Sequence, residues 1–211
     1  MSKLPKTYKS TPLPNRMKRR IPLILIDRDG TLVYDDKYFL GSQTNWKSKV
    51  KFMPKVVQGL KQLKKIPHAK IYMITNQTGV AIKDFPALTL KKAHEVCHHI
   101  LSQLSKQNAK LNGYFLCEHA SPSYKRAHPQ YNFRKNLVCN CQCIKPNSGM
   151  VKKALAKEKL KLSDVTVYVI GDRASDAKTG IKEHGYGILV PFAKEPGEIA
   201  KFKKIKSKRK H

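Results

Sequence analysis

"LILIDRDGTL", residues 23–32, runs from an apolar stretch straight into two acids, Asp27 and Asp29, with Arg28 between them and Gly30 and Thr31 behind. The segment "IPLILI" (21–26) lacks the polar alternation of a strand with one wet face, so it reads as a strand buried on both sides. In open parallel sheets, functional groups gather beyond the carboxyl ends of the strands, where the chain turns into the next loop. A buried strand that ends in carboxylates therefore predicts an α/β fold with a site at its sheet edge.

Outward from that stretch the pattern alternates. "PKVVQGLKQLKK" (54–65) has apolar residues at 56, 57, 60 and 63, a helical spacing opened by proline. "AKIYMIT" (69–75) is the next strand. Residues 89–107 place Leu90, Ala93, Val96, Cys97, Ile100, Leu101 and Leu104 on one face of a helix. "NGYFLC" (112–117) is a strand, 118–143 a long polar loop, and 147–160 a helix. "VTVYVIG" (165–171) is a strand, 175–185 a helix stopped by Gly185, and "GILV" (187–190) the last strand. Such alternation predicts a doubly wound parallel sheet of about five strands covered on both faces. One domain over 21–200 is expected, between basic tails at 1–20 and 201–211.

The charge is unusual. The 211 residues carry 43 Lys and Arg against 14 Asp and Glu, a net charge of +29. Each tail holds seven cations and no acid, which leaves 29 basic and 14 acidic residues between 21 and 200, a body near +15. That excess fits either a solvated basic surface or attraction to polyanions, and net charge alone does not choose. The run after the N-terminal cations is about six apolar residues long and ends in "DRDG", too short for a secretory leader. No segment approaches the roughly 18 apolar residues of a membrane span. A cytoplasmic protein is expected, and its five cysteines, 97, 117, 139, 141 and 143, read as metal ligands or structural thiols.

Thr75, Cys117 and Asp172 follow their strands as Asp27 follows the first, so four polar groups should converge on one edge. Taken alone, an Asp after a strand is most often a turn or cap residue. Asp27, Asp29 and Asp172, with Asp176 a helical turn further on, would repel one another unless a hard cation sat among them. Oxygen-rich sites of this kind suit magnesium.

"DRDGT" (27–31), "TNQTG" (75–79), the Lys of "IKPNSGM" (144–150) and "GDRASD" (171–176) together resemble, in order, the four motifs of the haloacid dehalogenase superfamily of phosphatases. The resemblance spans roughly residues 23–190. It implies a Rossmann-like fold in which Asp27 is the nucleophile and Asp29 the acid and base. It further implies magnesium on Asp27, Asp29 through its carbonyl, and Asp172, with Thr75, Asn76, Gln77, Thr78, Lys145 and Arg173 on the phosphate.

Cys117 and His119 in "CEH" face Cys139, Cys141 and Cys143 in "CNCQC", a soft-ligand set suited to tetrahedral structural zinc. The arrangement resembles the histidinol-phosphate and D-glycero-D-manno-heptose 1,7-bisphosphate phosphatases, whose Cys-x-Cys precedes Arg-Lys-Pro. The "KP" register then implies Cys117, His119, Cys141 and Cys143 as ligands and leaves Cys139 spare, while Cys97 reads as core packing. The long loop 117–143 is expected to lack a hydrophobic core of its own, the metal taking its place.

One departure stands out: Ile144 occupies the position where that family has an Arg gripping substrate. Lys125, Arg126, Arg134 and Lys135 on the loop are candidates to replace it. With no insertion large enough for a cap domain, the expected substrate is a small phosphorylated molecule, first a heptose bisphosphate. The alternatives are histidinol phosphate, a polynucleotide 3′-phosphate, for which the basic body and tails would suit nucleic acid, and an inactive polyanion-binding protein.

Overall fold

A computed structural model of the chain describes residues 20–34 and 40–190; both basic tails lie outside the described residues, apart from Arg20. Five strands, β1 (Ile21–Asp27), β2 (Lys70–Asn76), β3 (Gly113–Cys117), β4 (Val165–Gly171) and β5 (Tyr186–Leu189), form one sheet in the order β3-β2-β1-β4-β5. Every pairing is parallel. The helices between them are α1 (Val56–Leu63), α2 (Leu90–Lys106), α3 (Pro122–Ala127), α4 (Gly149–Glu158) and α5 (Ala174–Lys182). The doubly wound parallel sheet read from the sequence is the observed fold.

The two-residue period of the strands explains why their sequences are continuously apolar. Ile24 and Ile26 of β1, with Ile71 and Met73 of β2, face α1 and α2, where Leu60, Val96, Cys97, Ile100 and Leu104 complete one core. Leu23 and Leu25, with Tyr72 and Ile74, point the other way onto Met150, Val151 and Ala154 of α4. Leu90, expected on the buried stripe of α2, is 41% exposed. It opens the helix directly after the Thr89 cap, whose hydroxyl accepts from Lys92 N at 3.1 Å. The periodicity holds from Ala93 onward, a residue buried in the core.

Register brings the strand ends level. Asp27 lies opposite Ile74 of β2, Ile26 opposite Ile170 of β4, and Asn76 opposite Cys117 of β3. The β1 to α1 connection adds a 3-10 turn at Trp46–Lys49, whose Trp46 ring is buried edge-on against His99 at 5.3 Å, and no separate cap domain among the described residues.

The loop after β3 departs from expectation. It has a core of its own: Ala120 and Phe133 are buried with Ala81 and Ile82, and Phe85, Tyr124, Tyr131, Leu137 and Val138 pack around them. Its helix α3 is capped by Ser121, whose hydroxyl accepts from Tyr124 N at 3.0 Å. Arg134 Nη1 donates to the carbonyls of Val80 (2.6 Å) and Ile82 (2.7 Å), stapling the loop to the turn after β2. The apolar residues of 118–143 follow no helical or strand period, and their partners Ala81, Ile82 and Phe85 lie roughly 40 to 50 residues earlier. A periodicity reading therefore finds only polarity there.

Candidate active site

Three of the predicted residues, Asp27, Lys145 and Asp172, converge with Asp176 beyond the carboxyl edge of the sheet. Asp27 ends β1 and is 5% exposed; its carboxylate pairs with Lys145, itself 7% exposed, which also lies 2.6 Å from Asp176 Oδ1. Asp27, Asp172 and Asp176 bring one carboxylate oxygen each within 4.8 Å of the others. Asp172 Oδ1 is buried without a hydrogen-bond partner. An orphaned carboxylate oxygen among two further acids fits a small hard cation, which takes oxygen ligands and tolerates few wrong distances. The Asp29 carboxylate is not one of that trio.

Electrostatics follow from this crowding. Burial pushes the Asp27 carboxyl well up; Lys145 opposes the rise, and Asp176 and Asp29 add to it. Burial likewise raises Asp172, to about 6, with Arg173 opposing and Asp176 reinforcing. The same carboxylates outweigh desolvation at Lys145 and hold its ammonium charged. Two glycines are required by close approach. A Cβ on Gly30, whose φ is +78°, would sit 2.4 Å from Asp172 Oδ2, and one on Gly171 would meet Asp176 at 2.3 Å.

Asp29 is gripped on both oxygens. Arg28 Nε donates to Oδ1 at 2.9 Å, while Gln77 Nε2 (3.0 Å) and the Thr75 hydroxyl (3.2 Å) donate to Oδ2. Arg28 is 1% exposed and its Nη1 lies 3.8 Å from the buried Cys97 thiol on α2, which makes Cys97 a core residue as expected. Asn76 clasps the backbone of Lys145, accepting from its N at 3.1 Å. Thr75 and Gln77 thus hold the Asp29 side chain and Asn76 the Lys145 backbone, and Asn76, Gln77 and Thr78 also line the cavity above Asp27.

That cavity, about 520 Å³, opens between Asp27 and Lys145 at its floor and Tyr124, Tyr131 and Arg173 at its rim, with Ile144 in its wall. Sequence reasoning named Asp176 only as an acid one turn after Asp172 and did not count it in the site. Its buried carboxylate both caps α5, accepting from Arg173 N at 3.1 Å, and pairs with Lys145. Tyr124 carried no readable signal, since α3 has six residues and no periodic face, and Tyr131 lies in the irregular chain after it.

Beside this site, at the end of β3, Cys117 Sγ, His119 and Cys141 Sγ place their ligand atoms within 4.8 Å of one another. Cys117 Sγ is 3.8 Å from Cys141 Sγ and 3.7 Å from His119 Nδ1. Cys143 is adjacent: its N donates to Cys141 Sγ at 3.3 Å, and its thiol interacts with both Lys153 and Cys141, although it stands outside that trio. Burial pushes the Cys117 thiol up, against the backbone N–H of His119. A three-ligand cluster with a fourth thiol alongside fits a zinc-type donor set.

The family model described as polynucleotide kinase 3 phosphatase matches residues 22–197. The histidine biosynthesis bifunctional protein HisB of Buchnera aphidicola is 31% identical over 169 residues, 79% of this chain; the chain spans 39% of that relative's length. The D-glycero-beta-D-manno-heptose-1,7-bisphosphate 7-phosphatase of Haemophilus influenzae is 30% identical over 161 residues, 75% of this chain and 74% of that protein. Among solved structures, the D,D-heptose 1.7-bisphosphate phosphatase from B. bronchiseptica, complexed with magnesium and phosphate, shares the fold. Its TM-score is 0.64 at 19% identity, covering 85% of this chain and 86% of that one.

Proposed function

This chain belongs to the haloacid dehalogenase superfamily of phosphatases, in the family described as polynucleotide kinase 3 phosphatase, and from that premise we propose a magnesium-dependent phosphomonoester hydrolase acting on a sugar bisphosphate of the D-glycero-D-manno-heptose 1,7 type. The observation that carries the reading is the buried Asp27 carboxylate at the floor of an open cavity, paired with Lys145 and crowded by Asp172 and Asp176. The heptose substrate is supported by the Haemophilus influenzae relative and by a cavity of small-molecule size.

In the proposed mechanism a carboxylate oxygen of Asp27 attacks phosphorus, the ester P–O bond breaks, and Asp29 gives its proton to the departing alkoxide oxygen. Water then attacks the aspartyl-phosphate, Asp29 takes the water's proton, and inorganic phosphate leaves with Asp27 restored. The Arg28, Thr75 and Gln77 bonds to Asp29 keep it within reach of both events. Lys145 faces the phosphoryl oxygens as their negative charge grows. Magnesium held by Asp27, the Asp29 carbonyl and Asp172, with Asp176 behind them, would supply further charge neutralisation there.

Zinc on Cys117, His119, Cys141 and Cys143 belongs to the same reading, supported by the three converging ligand atoms and by the Cys143 thiol beside Cys141. The five free thiols suit a reducing, cytoplasmic compartment. A second reading, a polynucleotide 3′-phosphatase, is favoured by the description of the matched family and by the basic body.

Phosphate release by the wild type and by Asp27→Asn is the test, measured on the heptose bisphosphate, histidinol phosphate and 3′-phosphorylated oligonucleotides. Turnover of the bisphosphate, abolished by the substitution, is expected. Preferred turnover of the oligonucleotide would move the substrate to the second reading, and variant activity within tenfold of wild type would remove Asp27 as nucleophile.

A further inference from the structure

We propose that Cys97, on α2, is a positioning residue for the phosphatase reaction: its buried thiol orients the Arg28 guanidinium, and Arg28 in turn aims the Asp29 carboxyl at the departing oxygen. The inference rests on Asp29 being the acid of the proposed mechanism and holds whichever alcohol the substrate releases.

A guanidinium carries five N–H donors on a rigid planar fork and keeps its charge when buried. Arg28 is fully enclosed, so a donor left without an acceptor there is costly. Its Nε donates to Asp29 Oδ1 at 2.9 Å, and its Nη1 donates to Cys97 Sγ at 3.8 Å, 69 residues further along the chain. The rest of the buried stripe of α2, namely Ala93, Val96, Ile100 and Leu104, has no polar side-chain atom. One acceptor thus interrupts an apolar helix face at the position the guanidinium reaches. A leucine or valine there would continue the stripe without it. Burial raises the Cys97 thiol, with Arg28 opposing the rise, so the sulfur meets the guanidinium as a neutral acceptor.

Because the fork is planar, its two contacts are not independent. Fixing Nη1 against the thiol fixes the direction of the Nε–H bond, and with it the Asp29 oxygen that this bond holds. Gln77 and Thr75 donate to the other oxygen, at 3.0 and 3.2 Å. Of these three donors only Arg28 is charged, and only its setting depends on α2. A side chain at position 97 that packs as well but accepts nothing frees the Nη1 end and lets the fork turn. The Asp29 carboxyl then shifts from the line of proton transfer while Asp27 and Lys145 keep their places, and small displacements of a proton donor are costly in rate.

The test separates proton delivery from the rest of the reaction by leaving group. The heptose bisphosphate, histidinol phosphate and the 3′-phosphorylated oligonucleotide all release an alcohol, so whichever of them the wild type cleaves needs the Asp29 proton, whereas p-nitrophenolate departs without one. The quantity compared is kcat/KM, which stops at phosphoryl transfer to Asp27 and excludes the later attack of water. The variants are Cys97→Val, Cys97→Ser, Asp29→Asn and Val96→Ala, the last a packing defect in the same stripe with no acceptor lost. Cys97→Val should lower kcat/KM on the alkyl ester about tenfold, as for a lost hydrogen bond to a charged group, and on p-nitrophenyl phosphate by no more than about twofold. Cys97→Ser, which returns an acceptor, should recover part of the loss, and Val96→Ala should affect both esters alike. Should Cys97→Val not fold, Cys97→Ala carries the same comparison. Equal losses on both esters, no recovery with serine, or the same split in Val96→Ala would each overturn the positioning role and leave the phosphatase reading standing. Asp29→Asn losing equally on both esters would remove Asp29 as the acid, and the inference with it.

Discussion

Replacing Lys145 with methionine removes one charge from the middle of three carboxylates while keeping most of the side-chain volume. The Lys145 side chain is 5% exposed, and its ammonium sits 2.6 Å from Asp176 Oδ1 and also pairs with Asp27. Coulomb attraction over that distance at an effective dielectric near 20 is roughly 6 kcal/mol per pair, most of it offset by the cost of dehydrating the ions. Breaking a buried pair from one side, which leaves the partner charge unmatched, costs about 3–5 kcal/mol. That is the expected loss of stability in metal-free protein at pH 8.

The size of the loss should depend on pH with a defined sign. Asp27 and Asp172 have carboxyls raised by burial, so the folded state holds protons that the unfolded chain releases. Stability from these groups is therefore present at low pH and declines as pH rises from their ordinary value near 3.8, for Asp172 through about 6. Lys145 opposes the rise at Asp27, and its removal steepens the decline. Urea denaturation with chelator present should show a small difference between Lys145→Met and wild type at pH 5 and the full difference at pH 8. Magnesium should recover part of it. A destabilisation below about 1 kcal/mol at pH 8, or one equal at both pH values, would refute the charge argument.

The remaining expectations concern the metals and the loop. Magnesium affinity, measured by calorimetric titration, should weaken as pH falls below about 6, because the cation displaces a proton from Asp172; a flat profile from pH 5 to 8 would count against Asp172 as a ligand. Elemental analysis should find one zinc per chain, lost in the Cys141→Ser, Cys143→Ser double variant and kept in Cys139→Ser; metal lost with Cys139 alone would redraw the ligand set. Arg134→Ala deletes two charge-assisted bonds to backbone carbonyls and should destabilise the loop by about 2–3 kcal/mol. Hydrogen exchange should then speed up over 118–138 and not in β1, and unchanged loop protection would show that the small core, not the staple, holds it.

The sheet was legible because burial on both faces leaves no choice of residue type: Leu23–Ile26 and Ile71–Ile74 must be apolar throughout. The carboxylates were legible because they stand where those runs stop. What escaped was whatever depends on two distant segments meeting off the sheet. Phe133 and Ile82 bury each other across some 50 residues, and Arg134 finds its acceptors on backbone carbonyls, which every residue offers and no sequence marks. Asp176 escaped for another reason: as a cap for α5 it already has a structural explanation, and only its contact with Lys145 reveals the second role.

The thiol cluster and the catalytic floor meet through a segment whose sequence shows only half of the connection. Cys141 and Cys143 stand four and two residues before Lys145, and that stretch is closed on itself by Asn147 Nδ2 donating to the Cys141 carbonyl at 3.1 Å and Gly149 N to the Gln142 carbonyl at 2.8 Å. Its other side is tied to the sheet by Asn76, which holds the Lys145 backbone from the end of β2 and pairs in register with Cys117 at the end of β3. Lys145 therefore reaches Asp27 from a backbone fixed at two points, one on the sheet and one on the cysteine turn. A metal on the thiols would stiffen the second point without touching substrate, so its removal should lower kcat through a displaced Lys145 ammonium while the sheet and its carboxylates stay in place.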